Sequence, residues 1–290
     1  MIKRVLTGIL VGALWLCVFL FAPAWVLFAA LAAAVAVSQI EFYRMFSRGS
    51  AKIPCSAVWG VGMGLVWEFF CFCCPSGHPY SCFSTGVLAV LVFVFLCRVL
   101  FMKRSERVLE YAAVTLLGFF YLPFLLSFML CLAQWNCPDS MMISLDRTGV
   151  YLTLYLVAIV KFNDVGGFAF GIPFGRHKCF PSVSPKKSWE GCLGGALFSV
   201  GFAVGLVALA KNWSLVPEGP LQQLSWADAV AIGLALSLLG MLGDLVESRF
   251  KRVADVKDSA ALLPAGGILD MFDSLVFAPV FLYSFLLWAV

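Results

Sequence analysis

Residues 84–101 read STGVLAVLVFVFLCRVLF, an apolar run whose single charge, Arg98, stands near its end. A hydrocarbon core about 30 Å thick needs about 20 mainly apolar residues of helix to cross it. This stretch is long enough, and it has no polar face on which a soluble helix would meet water. Comparable runs lie near 5–21, 24–43, 56–73, 108–134, 149–170, 190–210, 226–250 and 267–290, so nine transmembrane helices are expected. The whole chain agrees: 62% of its 290 residues are hydrophobic and 12% charged, against about 45–50% and about 25% in a soluble domain. A soluble core cannot cover so much apolar surface, and lipid must cover part of it. The expected class is all-α, a polytopic membrane protein.

Lys3 and Arg4 ahead of an apolar run also suit a removable signal peptide. The run, however, continues past Pro23 to about Val37 and shows no small-residue cleavage site. A helical hairpin turning at Ala22-Pro23 is the better expectation. The lysines and arginines set the orientation. With nine spans, all of the 20 except Arg147, Lys161 and Lys211 fall on one side of the membrane. Positive loops stay inside, which puts the N-terminus in the cytoplasm and the C-terminus outside.

The 11 cysteines form no pair of C-x-x-C motifs of zinc-site type. Most sit singly in apolar runs, where a thiol behaves as a small hydrophobe. Cys71, Cys73, Cys74 and Cys82 gather at one turn, and Cys131 and Cys137 at another. An incidental disulfide stays open there if those turns face outward. No internal repeat or soluble domain is visible. The expectation is one integral membrane domain over 1–290, with helices of 1–135 as scaffold and 149–290 carrying the chemistry. Two polar cytoplasmic segments, about 171–190 and 248–266, abut the spans that contain acids.

Ionisable groups inside a membrane are costly and mark a functional site or a wet cavity. Asp270 and Asp273 are three residues apart, a spacing that places both on one face of a helix. Asp244 and Glu247 share that spacing, as do Lys161 and Asp164. Salt bridges between helices are the plain structural explanation, and for Lys161 and Asp164 alone they suffice. For Asp244, Asp270 and Asp273 near one membrane face, too few intramembrane bases are at hand. Unneutralised carboxylates would repel, and a divalent cation resolves the conflict, with hard oxygen ligands suiting Mg²⁺.

Ser184-Pro185-Lys186-Lys187-Ser188-Trp189-Glu190-Gly191 leads into the seventh span. Adjacent lysines before a helix N-terminus suit an anion; they equally suit a positive-inside anchor with an interfacial Trp. Pro264-Ala265-Gly266-Gly267 opens the ninth span, where paired glycines admit close backbone approach or simply turn the chain. Ser248-Arg249-Phe250-Lys251-Arg252 and Lys257-Asp258 add cations. Carboxylates, lysines and glycine-opened helix starts together describe metal-dependent phosphoryl or nucleotidyl transfer. No P-loop, Rossmann fingerprint or serine-hydrolase elbow is present. His78 and His177 fall on opposite sides of the membrane in this topology.

In this order, the motifs resemble those of the bacterial CDP-diacylglycerol synthases, the phosphatidate cytidylyltransferases. The resemblance is carried by Asp164-Val165-Gly166-Gly167 through Phe174-Gly175-Arg176-His177-Lys178, by the Ser184–Gly191 block, and by Gly243-Asp244-Leu245-Val246-Glu247-Ser248 through Lys251-Arg252, Lys257-Asp258 and Asp270-Met271-Phe272-Asp273-Ser274. Arg4-Val5-Leu6-Thr7-Gly8 and Glu41-Phe42-Tyr43 are weaker echoes. Two departures stand out. The Pro264–Gly267 turn is one residue shorter than the family's and lacks its histidine, and Met271 replaces a common arginine.

The resemblance implies that CTP and phosphatidate, a phosphatidic acid lipid, give CDP-diacylglycerol and pyrophosphate in phospholipid synthesis. It implies Mg²⁺ on Asp244, Asp270 and Asp273, with Asp164 contributing or orienting, and a second cation such as K⁺ beside it. Lys187, Lys186, Arg176 and Lys257 would neutralise phosphates, with Ser184, Lys251, Arg252, Gly266 and Gly267 also in the phosphate-binding set. Trp189, Glu190, Glu247, Ser248, Asp258 and Ser274 are the remaining motif positions. The partners implied are CTP, the lipid and the bilayer, with a homodimer and without nucleic acid. The place implied is a bacterial inner membrane, with the active site facing the cytoplasm. Two other classes fit parts of the pattern: an ion-coupled transporter, in which paired intramembrane acids bind coupling ions, and an inactive relative with a structural role.

Overall fold

The apolar runs fold as helices in the computed structural model, which describes residues 17–18, 20–48, 52–73, 82–102, 107–135, 147–181, 183–212, 218–256 and 267–289, with the backbone alone at 82–84, 147 and 185–186. Among these residues six helices are long and apolar enough to cross a membrane: 24–48, 108–133, 148–174, 189–212, 226–253 and 269–289. Two shorter apolar helices, at 57–73 and 85–100, coincide with the third and fourth expected spans. The span expected at 5–21 lies almost wholly outside the described residues. Buried side chains of these helices are mostly apolar, and the polar ones largely hydrogen-bond to backbone, as a medium without water requires.

Two compact units divide the chain, one of residues 1–145 with 250–272, the other of 146–249 with 273–290. The first contains α1 (Ala24–Arg48), α2 (Ala57–Cys73), α3 (Cys82–Leu100), α4 (Val108–Phe119) and α5 (Leu125–Ala133). A π-helical turn at Phe120–Phe124 joins α4 to α5 around Pro123, which has no N–H to give to a regular α-helical ladder. Tyr43 of α1 lies against Gly60 of α2 and Gly118 of α4 so closely that a Cβ at either glycine would overlap its ring. Its hydroxyl donates to the Thr115 carbonyl at 2.8 Å, and Gln39 donates to the Gly60 carbonyl at 3.1 Å. Small residues thus let α1 seat a large polar-tipped ring whose hydroxyl is satisfied in the apolar interior.

The second unit is organised by α6 (Arg147–Phe174) and α7 (Trp189–Asn212), packed antiparallel through glycines. A Cβ on Gly166 would strike Phe198 and the Gly194 carbonyl; one on Gly195 would strike Asn163. Asn163 in turn accepts a 2.7 Å hydrogen bond from Ser237 of α9 (Trp226–Val253), which follows the short α8 (Pro220–Gln223). The start of α9 is a reciprocal cap: the Asp228 carboxylate accepts from the Ser225 N–H at 2.8 Å, and the Asp228 N–H donates to the Ser225 hydroxyl at 3.1 Å.

Two features differ from the sequence reading. The polar segment before α7 is an antiparallel β-hairpin, β1 (Lys178–Phe180) and β2 (Ser184–Ser188), so the chain is nearly, not wholly, helical. The expected last span is also interrupted. It starts as one turn, α10 (Leu269–Phe272), tightens into a 3₁₀ turn at Asp273–Leu275 and resumes as α11 (Ala278–Ala289). Asp270 and Asp273 therefore do not sit on one continuous α-helical face.

Candidate active site

Helical period places Asp244 and Glu247 of α9 one turn apart on one side. The 3₁₀ turn that starts at Asp273 comes up against α9 at Gly240 and Gly243, two positions without side chains. At Gly243 the Asp273 carbonyl oxygen is so near that no Cβ would fit, and at Gly240 a Cβ would stand 3.4 Å from the Ser274 carbonyl oxygen. This backbone approach gathers three carboxylates. One oxygen each from Asp244, Glu247 and Asp273 lie within 4.8 Å of one another. Glu247 is 1% exposed, and Asp244 and Asp273 are half-buried.

Cations border this cluster. Lys187, near the end of β2, brings its ammonium 2.6 Å from Asp244 Oδ2 and reaches the Met241 carbonyl at 3.4 Å. The Ser248 hydroxyl donates to Asp244 Oδ1 at 3.4 Å. From α6, Lys161 donates to the Ser274 hydroxyl at 2.9 Å and stands 3.9 Å from Asp164, whose side chain is about half exposed. The hairpin that carries Lys187 is tied to the start of α7 by two parallel rungs. His177 Nδ1 is 2.7 Å from Glu190 Oε1, and the Cys179 and Cys192 sulfurs are 3.6 Å apart. The Cys179 thiol is pushed up to about 11, first by burial and then by its neighbour Cys192.

The remaining expected residues are placed as follows. Asp270 belongs to the first unit, where Lys251 lies 2.9 Å from its Oδ1 and the Gly267 N–H donates to its Oδ2 at 3.2 Å. Arg176 and Arg252 are exposed, Ser184 opens β2, Ser274 is buried, and Trp189 lies exposed at the head of α7. Lys257, Asp258 and Gly266 lie outside the described residues, as does the Lys186 side chain. Glu247 is the residue whose part in the cluster was not assigned from sequence; its three-residue spacing from Asp244 was the available signal.

The donor set suits a divalent cation. Three carboxylates supply only hard oxygens, and their convergence at this distance is stabilised by a positive ion. Cys73 and Cys131, named above for an incidental disulfide, are free thiols, while Cys74 and Cys137 lie outside the described residues.

Fold and site together define a multi-span helical membrane protein with a carboxylate cluster able to hold a metal ion beside a lysine-bearing hairpin. The chain belongs to the Cytidylyltransferase family, whose pattern matches residues 2–289. It is similar to the phosphatidate cytidylyltransferase of Bacillus subtilis (strain 168), 40% identical over 144 residues, which is 49% of this chain and 50% of that protein. The phosphatidate cytidylyltransferase of Staphylococcus aureus (strain COL) is 42% identical over 130 residues, 44% of this chain and 46% of that protein. That of Haemophilus influenzae is 38% identical over 139 residues, 47% and 46% of the two chains. These alignments span about half the length of the curated relatives. Membership of this family does not favour the ion-coupled transporter.

Proposed function

We propose that this protein is a phosphatidate cytidylyltransferase, converting CTP and phosphatidate to CDP-diacylglycerol and pyrophosphate. The observation that carries the reading is the convergence of Asp244, Glu247 and Asp273 with Lys187 held on Asp244. The names of the relatives supply the substrates.

In the proposed reaction an ionised phosphate oxygen of phosphatidate attacks the α-phosphorus of CTP. A new P–O bond forms there as the bond to the β-phosphate oxygen breaks, and pyrophosphate leaves with that electron pair. Phosphatidate is already an anion, so no general base is needed, and catalysis rests on positioning and charge neutralisation. Lys187 neutralises a triphosphate oxygen from the end of β2, while Arg176, Lys186 and Lys257 contribute charge from the cytoplasmic side. Lys161 holds the Asp273–Leu275 turn through Ser274, which fixes where the Asp273 carboxylate points. Asp244, Glu247 and Asp273 would hold Mg²⁺, which when bound supplies charge to the phosphate oxygens. Asp164 contributes to or orients this set, Asp270 is a further acid proposed for the reaction, and a second cation such as K⁺ is part of the proposal.

We place nine spans in the membrane, with the N-terminus and the site cytoplasmic, in a bacterial inner membrane and as a homodimer. The charge distribution supports this orientation, because soluble CTP then meets a lipid that stays in its leaflet. Helices of 1–135 form the scaffold, and 149–290 carry the chemistry.

The test is direct. Purified protein given labelled CTP, phosphatidate and Mg²⁺ should move label into lipid and release pyrophosphate, and Asp244→Asn and Asp273→Asn should not. Absence of labelled lipid from the unaltered protein would assign it to the inactive relatives; full activity in both variants would remove the carboxylates from the mechanism.

A further inference from the structure

The turn bearing Asp270 is held by a residue more than two hundred positions earlier. Glu41, in the last third of α1, is 1% exposed, and its Oε2 accepts the Leu269 N–H at 2.9 Å. Leu269 opens α10, where backbone N–H groups have no partner within the helix and need one from elsewhere. A carboxyl oxygen is a suitable acceptor for such a group. The neighbouring residue of α1 grips the other half of the same arrangement. Phe42, fully buried, meets Phe250 edge-on at 5.6 Å, and Phe46 and Tyr121 close on the same ring at 6.1 and 5.3 Å.

Phe250 precedes Lys251 in the chain, just as Leu269 precedes Asp270. Adjacent residues of α1 therefore anchor both partners of the Lys251–Asp270 pair, each through the residue beside it. A buried carboxylate spent on the backbone N–H groups of one turn, in an apolar helix, is costly to keep. A neutral residue would be the cheaper choice if burial alone mattered.

We propose that Glu41 is a positioning residue for the reaction: its carboxylate fixes the backbone of the Asp270 turn and acts through Asp270, a role that rests on the cytidylyltransferase reading above. Glu41→Leu removes the acceptor with little change in volume, while Glu41→Gln keeps an oxygen that can take the same N–H.

Two measurements on the full-length protein in detergent test this. Hydrogen–deuterium exchange across residues 267–272 should rise in Glu41→Leu and stay near the unaltered rate in Glu41→Gln. Turnover of CTP should fall by about 10- to 100-fold in Glu41→Leu through kcat, with KM for CTP little changed, and Glu41→Gln should recover most of it. Unchanged exchange in Glu41→Leu overturns the hold on the turn. Raised exchange with undiminished turnover overturns the role in the reaction, as does a Glu41→Gln protein no better than Glu41→Leu. If Glu41→Leu cannot be purified folded, Glu41→Gln decides alone: wild-type exchange and turnover are required of it. Asp270→Asn is assayed alongside; full activity there would fault the functional reading of Asp270, while the exchange data still judge Glu41's grip on the turn.

Discussion

Gly243→Ala isolates the backbone approach that assembles the carboxylate cluster. The new methyl would overlap the Asp273 carbonyl oxygen, and it would also stand 3.1 Å from the carbonyl carbon and 3.4 Å from Ser274 Cα. Every one of these neighbours is backbone, so no side chain can swing aside. Relief requires the 273–274 segment or α9 itself to retreat by roughly 1 Å, a displacement that can cost about 100-fold in rate when it moves a reacting group. Overpacking of this kind costs about 1–3 kcal/mol in stability, so the protein should still fold. Gly205→Ala is the control: nothing lies within 4 Å of its added Cβ, and a helix-interior alanine is favoured over glycine by about 1 kcal/mol. CTP incorporation into lipid is measured across a Mg²⁺ titration, with thermal unfolding in detergent beside it. The expectation is a loss of about 100-fold for Gly243→Ala, only partly restored by excess Mg²⁺, and none for Gly205→Ala. Activity within about twofold of the unaltered protein would refute the view that this contact sets the spacing of Asp244 and Asp273.

Three further outcomes are expected. Glu247→Gln should raise the Mg²⁺ needed for half-maximal turnover by about an order of magnitude, since it removes one charge from the ligand set; an unshifted titration would take Glu247 out of that set. Lys187→Ala should raise KM for CTP by about tenfold with little change in expression, whereas an unchanged KM would leave this lysine as a membrane-interface anchor. Alkylation of Cys179 by iodoacetamide, read by peptide mass, should speed up about tenfold per pH unit from pH 7 to 9. Its thiol sits near 11, so the reactive thiolate is still a small fraction throughout that window. A rate that levels off by pH 8 contradicts this placement of Cys179 against α7.

Much of the fold was legible because the bilayer imposes a simple rule. Helices cross it as long apolar runs, and the runs at 24–43, 108–134, 149–170, 190–210 and 226–250 each correspond to an observed helix. The hairpin at 178–188 was not legible. Its strands are three and five residues long, in a segment rich in Pro, Ser and Lys, and no alternation of apolar and polar residues marks them. The break after Phe272 was missed for a related reason: Asp-Met-Phe-Asp-Ser-Leu carries no glycine or proline to stop a helix. There the packing of residues 273–274 against Gly240 and Gly243 accompanies the departure from α-helical geometry.

Sequence alone determined that this chain lives in a membrane, and that its costly charges, Asp244, Glu247, Asp270 and Asp273, gather in its last third beside the lysines of 184–191. Hydrophobic length and the expense of burying charge are local properties, readable residue by residue. Tertiary structure alone decided which of those acids converge. Asp244 and Glu247 meet Asp273 across bare glycine backbone, whereas Asp270 turns to Lys251 and to a turn held by Glu41. Such choices depend on which backbone surfaces can come within contact distance, and that is a property of packed helices rather than of any one of them.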